Sequence, residues 1–194
     1  MVSPAIIAAV FPVIFIGELP DKTMFASLVM ATRGKPFSVW LGAAGAFTVH
    51  VAIAVTVGVA LFKILPQSVV DFVVAALFAM SAVAAFVSAR VGDEREEEII
   101  VEHASGKVAG TAFVVVFLAE WGDLTQVLTA NAAVRYDSAV SVAIGATLAL
   151  WSVAALAVIG GHGLLGRLPT RPLRLGMGVL LSVLSVLTLI AALR

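Results

Sequence analysis

The chain has 194 residues, 61% of them hydrophobic and 12% charged, with a mean hydropathy of +1.12. Ordinary soluble domains are about 45–50% apolar and about 25% charged, so this composition excludes one and indicates a membrane protein. Twelve basic and twelve acidic residues cancel, leaving nucleic acid no electrostatic footprint, and the absence of cysteine excludes disulfides, thiolate nucleophiles and soft-metal thiolate sites.

Taken in order, the chain divides into apolar segments punctuated by Pro, Gly and charge, each long enough to cross a bilayer at about 20 residues per span. Met1-Val2-Ser3-Pro4 has no basic region and no small-residue cleavage site, so it is expected to open a mature first span and not a signal peptide. That span covers about 4–32, with Ser3 as cap and Pro4 at the first helical position, and Arg33-Gly34-Lys35-Pro36 ends it. Further spans are expected at about 37–62, 67–89, 108–134, 137–159 and 172–193, with one polar linker at 90–107. The loops on one side then hold Arg33, Lys35, Arg90, Arg95, Lys107, Arg167, Arg171 and Arg174, against Lys63, Arg135 and Arg194 on the other. The positive-inside rule puts both termini outside and the acidic linker in the cytoplasm, in an integral membrane protein expected at a bacterial plasma membrane.

Within the first span stands Glu18-Leu19-Pro20-Asp21-Lys22-Thr23, and 102 residues later, within the fourth, Glu120-Trp121-Gly122-Asp123-Leu124-Thr125. Phe15 and Phe117, Ser27 and Thr129, and Arg33 and Arg135 keep the same offset, which marks an internal duplication. The expected fold is therefore all-α, with six transmembrane helices arranged as two three-helix repeats, 1–89 and 108–194, around the linker 90–107. Three spans per repeat is an odd number, so the second repeat is inverted relative to the first. Both motifs then lie near the bilayer midplane and face each other.

Charge at that depth is expensive and functional by default. Glu and Asp at i and i+3 share a helix face, so each motif aims two carboxylates in one direction. Pro20 and Gly122 are expected to kink or unwind the first helix of each repeat and to free backbone carbonyls as further ligands. Thr23, Thr125 and Gln126 add neutral oxygens. Such a cage suits hard divalent cations, Ca²⁺, Mn²⁺ or Mg²⁺. Without a cation, Glu18, Asp21, Glu120 and Asp123 cannot all stay ionised, and some must bind protons; metal and proton therefore exchange by competition.

With two copies of this motif at midspan, the whole chain resembles the small six-span cation/proton exchangers of the lysine-exporter-like superfamily, which include Golgi and chloroplast manganese/calcium transporters and bacterial manganese exporters. The resemblance implies a non-enzymatic secondary transporter with no resident cofactor, moving Mn²⁺ or else Ca²⁺ out of the cytoplasm against protons. It implies a cation path through Glu18, Asp21, Thr23, Glu120, Asp123, Thr125 and Gln126, with the four acids coupling protons. Pro20 stands where that family usually has Gly, and Leu124 where it usually has Lys or Arg, so only Lys22 remains as a structural counter-charge. Beyond lipid, cations and protons no partner is implied, although a homodimer stays open.

Other readings differ by class. A divalent-cation channel, or an exporter of another substrate in the superfamily, is separated by testing for proton counter-transport. An aspartyl enzyme using Asp21 and Asp123 as a dyad would need fewer acids than are present. His50, alone in its span, reads as a packing histidine before a proton-path residue, and His103 and His162 read as solvated. Glycine and alanine at 42–46 read as close helix packing; Trp40, Trp151 and Tyr136 read as ordinary apolar or interface residues. The acidic run 93–98 reads as a solvated loop, and more sharply as a device that focuses cations at the inner mouth.

Overall fold

The computed structural model describes residues 2–18, 27, 30–31, 35–91, 108–164 and 170–193. Pro20, Asp21, Lys22, Thr23, His103 and the acidic run lie outside the described residues, as does the His162 side chain. Among the described residues all regular structure is helical.

Helix α1 (Pro4–Glu18) begins with proline where a missing N–H costs nothing, and the Ser3 carbonyl accepts the first helical bond from the Ile7 amide at 3.2 Å. Helix α2 (Pro36–Ile53) begins the same way, with Lys35 held extended by the proline after it. The rod continues through one π-helical turn, Ala54–Gly58, into α3 (Val59–Ile64) and stops at Leu65, extended ahead of Pro66. Then follow α4 (Gln67–Val91), α5 (Val108–Ala119), α6 (Leu124–Arg135), α7 (Ala139–Leu164) and α8 (Thr170–Ala192).

Pro36–Ile64, Ser68–Val87 and Ala139–Gly160 are long and apolar enough to cross a membrane, and α5 with α6 makes a fourth span if the bent pair is counted as one. Six spans were expected; α1 and the apolar Gly178–Ala192 are shorter by themselves. The expected first span is described as helix to Glu18 and then only at Ser27, Met30 and Ala31. The exterior is apolar, with Val13, Leu118, Ile159 and Val183 exposed. Thr48, Ser152 and Ser182 each donate to the carbonyl four residues back at 2.7 Å, which satisfies a hydroxyl without water. This is an integral membrane protein.

Packing is by close approach of small residues. Helix α1 lies on α7, α2 on α5 and α7, and α4 on α8. A Cβ at Gly42 would collide with the Ala109 carbonyl oxygen and the Ala112 Cβ, so α2 and α5 touch backbone to backbone there. At Gly145 it would come 3.1 Å from the Ile7 carbonyl oxygen and 3.2 Å from the Val10 Cβ. Phe11 stacks on Phe15 with centroids 5.5 Å apart, and Phe113 on Phe117 at 5.7 Å.

Trp40 and Trp151, to which the sequence gives no special task, clasp α2 to α7. The Trp40 Nε1–H donates to the Trp151 carbonyl at 3.2 Å, and the Trp151 Nε1–H to the Ala44 carbonyl at 3.0 Å. Their rings meet edge to face at 5.8 Å. An ion pair of 3.1 Å ties Arg135, at the end of α6, to the buried Asp71 of α4.

Candidate cation site

The site forms where the first motif's helix meets the break between α5 and α6. Helix α1 is described as far as Glu18, which is buried. Helix α5 ends at Ala119 and α6 restarts at Leu124, with axes 74° apart. Gly122 makes the break at φ +77°, a left-handed conformation that a side chain would strain. Glu120 is buried just beyond α5, while Asp123 caps α6 with its Oδ2 accepting from the Thr125 amide at 3.2 Å. Helical i,i+3 spacing is therefore not what gathers Glu120 and Asp123. The chain turns between them.

Glu18, Glu120 and Asp123 each present a carboxylate oxygen within 4.8 Å of the other two. An ion with oxygens at about 2.4 Å spans that separation, in the range of Ca²⁺ ligation. Each ionised pair at that distance repels by roughly 3 kcal/mol at an effective dielectric of about 20. Cation binding or protonation relieves that repulsion.

The second motif supplies neutral groups beside the acids. The Thr125 hydroxyl donates to Asp123 Oδ2 at 3.4 Å, and Gln126 Nε2 donates to the Glu120 carbonyl. The break leaves the Phe117 carbonyl without its helical donor, because the Trp121 amide turns to Leu118 at 3.5 Å. Freed carbonyls were expected to join the acids as ligands. Among the described residues, the Phe117 carbonyl lies 3.0 Å from His50 Nε2, and Glu120's accepts from Gln126 Nε2 and from the Asp123 amide at 3.2 Å.

A small cavity, with room for about one water-sized body, opens beside Glu120 and is lined by His50, Thr125, Gln126 and Thr129. The structure thus brings together Glu18, Glu120, Asp123, Thr125 and Gln126, while Asp21, Lys22, Thr23 and Pro20 lie outside the described residues. Sequence reasoning gave no site role to Thr129 and read His50 first as packing, with a proton path only as the second reading. Thr129 carried a signal, since it is the repeat mate of Ser27, and both are buried. His50 carried only its polarity.

Comparison with known proteins agrees with the geometry. The family model for the divalent cation/proton antiporter GDT1 matches residues 6–93 and 108–194. The chain is 34% identical over 185 residues to GDT1-like protein 1, chloroplastic, of Oryza sativa subsp. indica, covering 82% of this chain and 54% of that protein. It is 28% identical over 191 residues to GDT1-like protein sll0615 of Synechocystis, covering 90% and 92%. To Protein PAM71, chloroplastic, of Arabidopsis thaliana it is 30% identical over 207 residues, covering 93% and 55%. The chain thus spans about half the length of the plant chloroplast relatives. No solved structure matches it. With both halves matched and the intervening acidic stretch left out, the chain belongs to the GDT1 family of divalent cation/proton antiporters, transporters and not enzymes.

Proposed function

We propose that this protein exchanges Mn²⁺, with Ca²⁺ as the second candidate, for protons, and exports the metal from the cytoplasm across a bacterial plasma membrane. The observation that carries the reading is the meeting of Glu18 from the first motif with Glu120 and Asp123 from the second. In this proposal Asp21 and Thr23 complete the site with Thr125 and Gln126, and Lys22 serves as counter-charge. A purely oxygen donor set favours Mn²⁺ or Ca²⁺ over Cu⁺ and Zn²⁺. The same carboxylates take protons when the metal leaves, so one site serves both ions alternately.

The proposed architecture is six spans in two inverted repeats, 1–89 and 108–194, joined by a cytoplasmic linker, with both termini outside. Paired contacts support it. Ile7 and Val10 of α1 meet Gly145 of α7, while Ala109 and Ala112 of α5, each 102 positions further on, meet Gly42 of α2. The stacked pairs Phe11–Phe15 and Phe113–Phe117 keep the same offset. Rocking of two such units about a fixed site would expose it to each side in turn.

The test is uptake of Mn²⁺, Ca²⁺ and Mg²⁺ into proteoliposomes with internal pH recorded under an imposed pH gradient. Mn²⁺ uptake coupled to proton efflux is expected. Metal flux indifferent to the gradient would indicate a channel and overturn the exchanger.

A further inference from the structure

Two backbone carbonyls, those of Phe117 and Glu120, bracket a short polar chain formed by His50 of α2 and Gln126 of α6. Carbonyls only accept, so each end of the chain must donate. His50 Nε2, 3.0 Å from the Phe117 oxygen, therefore carries the hydrogen, and the Gln126 group facing the Glu120 carbonyl is its NH₂. That same amide nitrogen lies 2.6 Å from His50 Nδ1, which accepts its second hydrogen. Both amide hydrogens of Gln126 are then committed. Its oxygen is the only polar atom it has left to offer.

We propose that His50 is a positioning residue for the cation site, locking the Gln126 amide so that this residue presents an oxygen, and not an NH₂ group, to a divalent cation. The proposal rests on the exchanger reading above. An amide free to rotate would spend part of its time with N–H dipoles toward the ion. His50 removes that choice, and its own ring is fixed by stacking on Phe117 with centroids 4.7 Å apart. His50 and Gln126 line the same cavity as Glu120, so the locked amide borders one of the three acids. Outer partners of this kind orient first ligands in metal sites generally.

The experiment compares Mn²⁺ transport by wild type, His50→Leu, His50→Asn, His50→Gln, Gln126→Met and the double variant His50→Leu/Gln126→Met in proteoliposomes. Asparagine places an oxygen where Nδ1 stands and can still hold Gln126; glutamine can reach the Phe117 carbonyl but offers nothing at that position. His50→Leu and His50→Gln should raise KM about ten-fold with kcat changed less than about two-fold, and His50→Asn should stay within about three-fold of wild type. On the Gln126→Met background His50→Leu should add nothing. If Asn loses as much as Leu, or if the Leu effect persists without Gln126, His50 merely packs and the proposal is overturned. Should His50→Leu not fold to a monodisperse protein, the Asn and Gln variants, both polar and similar in volume, still decide it. Mn²⁺ binding to the detergent-solubilised variants, measured by calorimetry, separates the two readings: if wild type shows no coupled proton flux the exchanger fails, yet a ten-fold weaker Kd in His50→Gln than in His50→Asn still supports the positioning role, and equal Kd values overturn it.

Discussion

Glu18 and Glu120 stand 102 positions apart in the chain and bring carboxylate oxygens within 4.8 Å of each other, both side chains buried. Glu18 is the last described residue of α1 and Glu120 follows α5, so the pair exists only because the first motif's helix packs against the break in the second. Asp123 joins them from the start of α6.

Removing one charge from this group should stop transport. Glu18→Gln and Glu120→Gln keep shape and lose charge, and each should lower Mn²⁺-dependent proton flux by at least about 100-fold with little change in melting temperature. Asp123→Asn should do the same while still capping α6, whereas Asp123→Ala should lose about 1 kcal/mol of stability as well. Flux assays paired with thermal melts separate these effects; a Glu120→Gln protein transporting at the wild-type rate would remove that residue from the site.

Competition between metal and protons has a sign that can be measured. Carboxylates must shed protons to ligate, so acidification should weaken apparent Mn²⁺ affinity, by up to about ten-fold per pH unit for each proton displaced. Calorimetry in buffers of different ionisation enthalpy counts the protons released. Binding that releases none would contradict exchange at a shared site.

Gly122 tests the break itself. Among the described residues a Cβ there would meet nothing within 4 Å, so the strain of φ +77° is the cost of adding one that the structure shows. Gly122→Ala should destabilise by about 1–2 kcal/mol, and Gly122→Asn by less, because Asn tolerates that conformation better. Equal melting temperatures for the Gly and Ala proteins would argue that the turn relaxes without loss.

The two glycine contacts should differ in severity. At Gly42 an added methyl group runs into backbone and cannot be accommodated by a side-chain shift, whereas at Gly145 the nearest atoms are 3.1 Å away. Gly42→Ala should destabilise by roughly 2–3 kcal/mol and Gly145→Ala by about 1 kcal/mol. Melting in detergent measures both, and the reverse order would mean that α2 and α5 can part more easily than α1 and α7.

The sequence by itself determined the membrane class and pointed to Glu18, Glu120 and Asp123, which the structure gathers, because carboxylates embedded in long apolar runs are conspicuous wherever the chain goes. It also placed a weak point at Gly122. What it made of Glu120 and Asp123 was a shared helix face; tertiary structure instead separates them by a 74° turn, with Asp123 spent partly as a cap. The run of small residues from Gly42 announced close packing without naming α5 as the neighbour, and Trp40 gave no hint of Trp151. His50 shows the limit most clearly. Its partners lie 67 and 76 positions away, and the Phe117 carbonyl is available to it only because the helix breaks. Periodicity and residue type describe how a segment meets its surroundings on average, but which hydrogen meets which oxygen is set by the three-dimensional meeting of α2, α5 and α6.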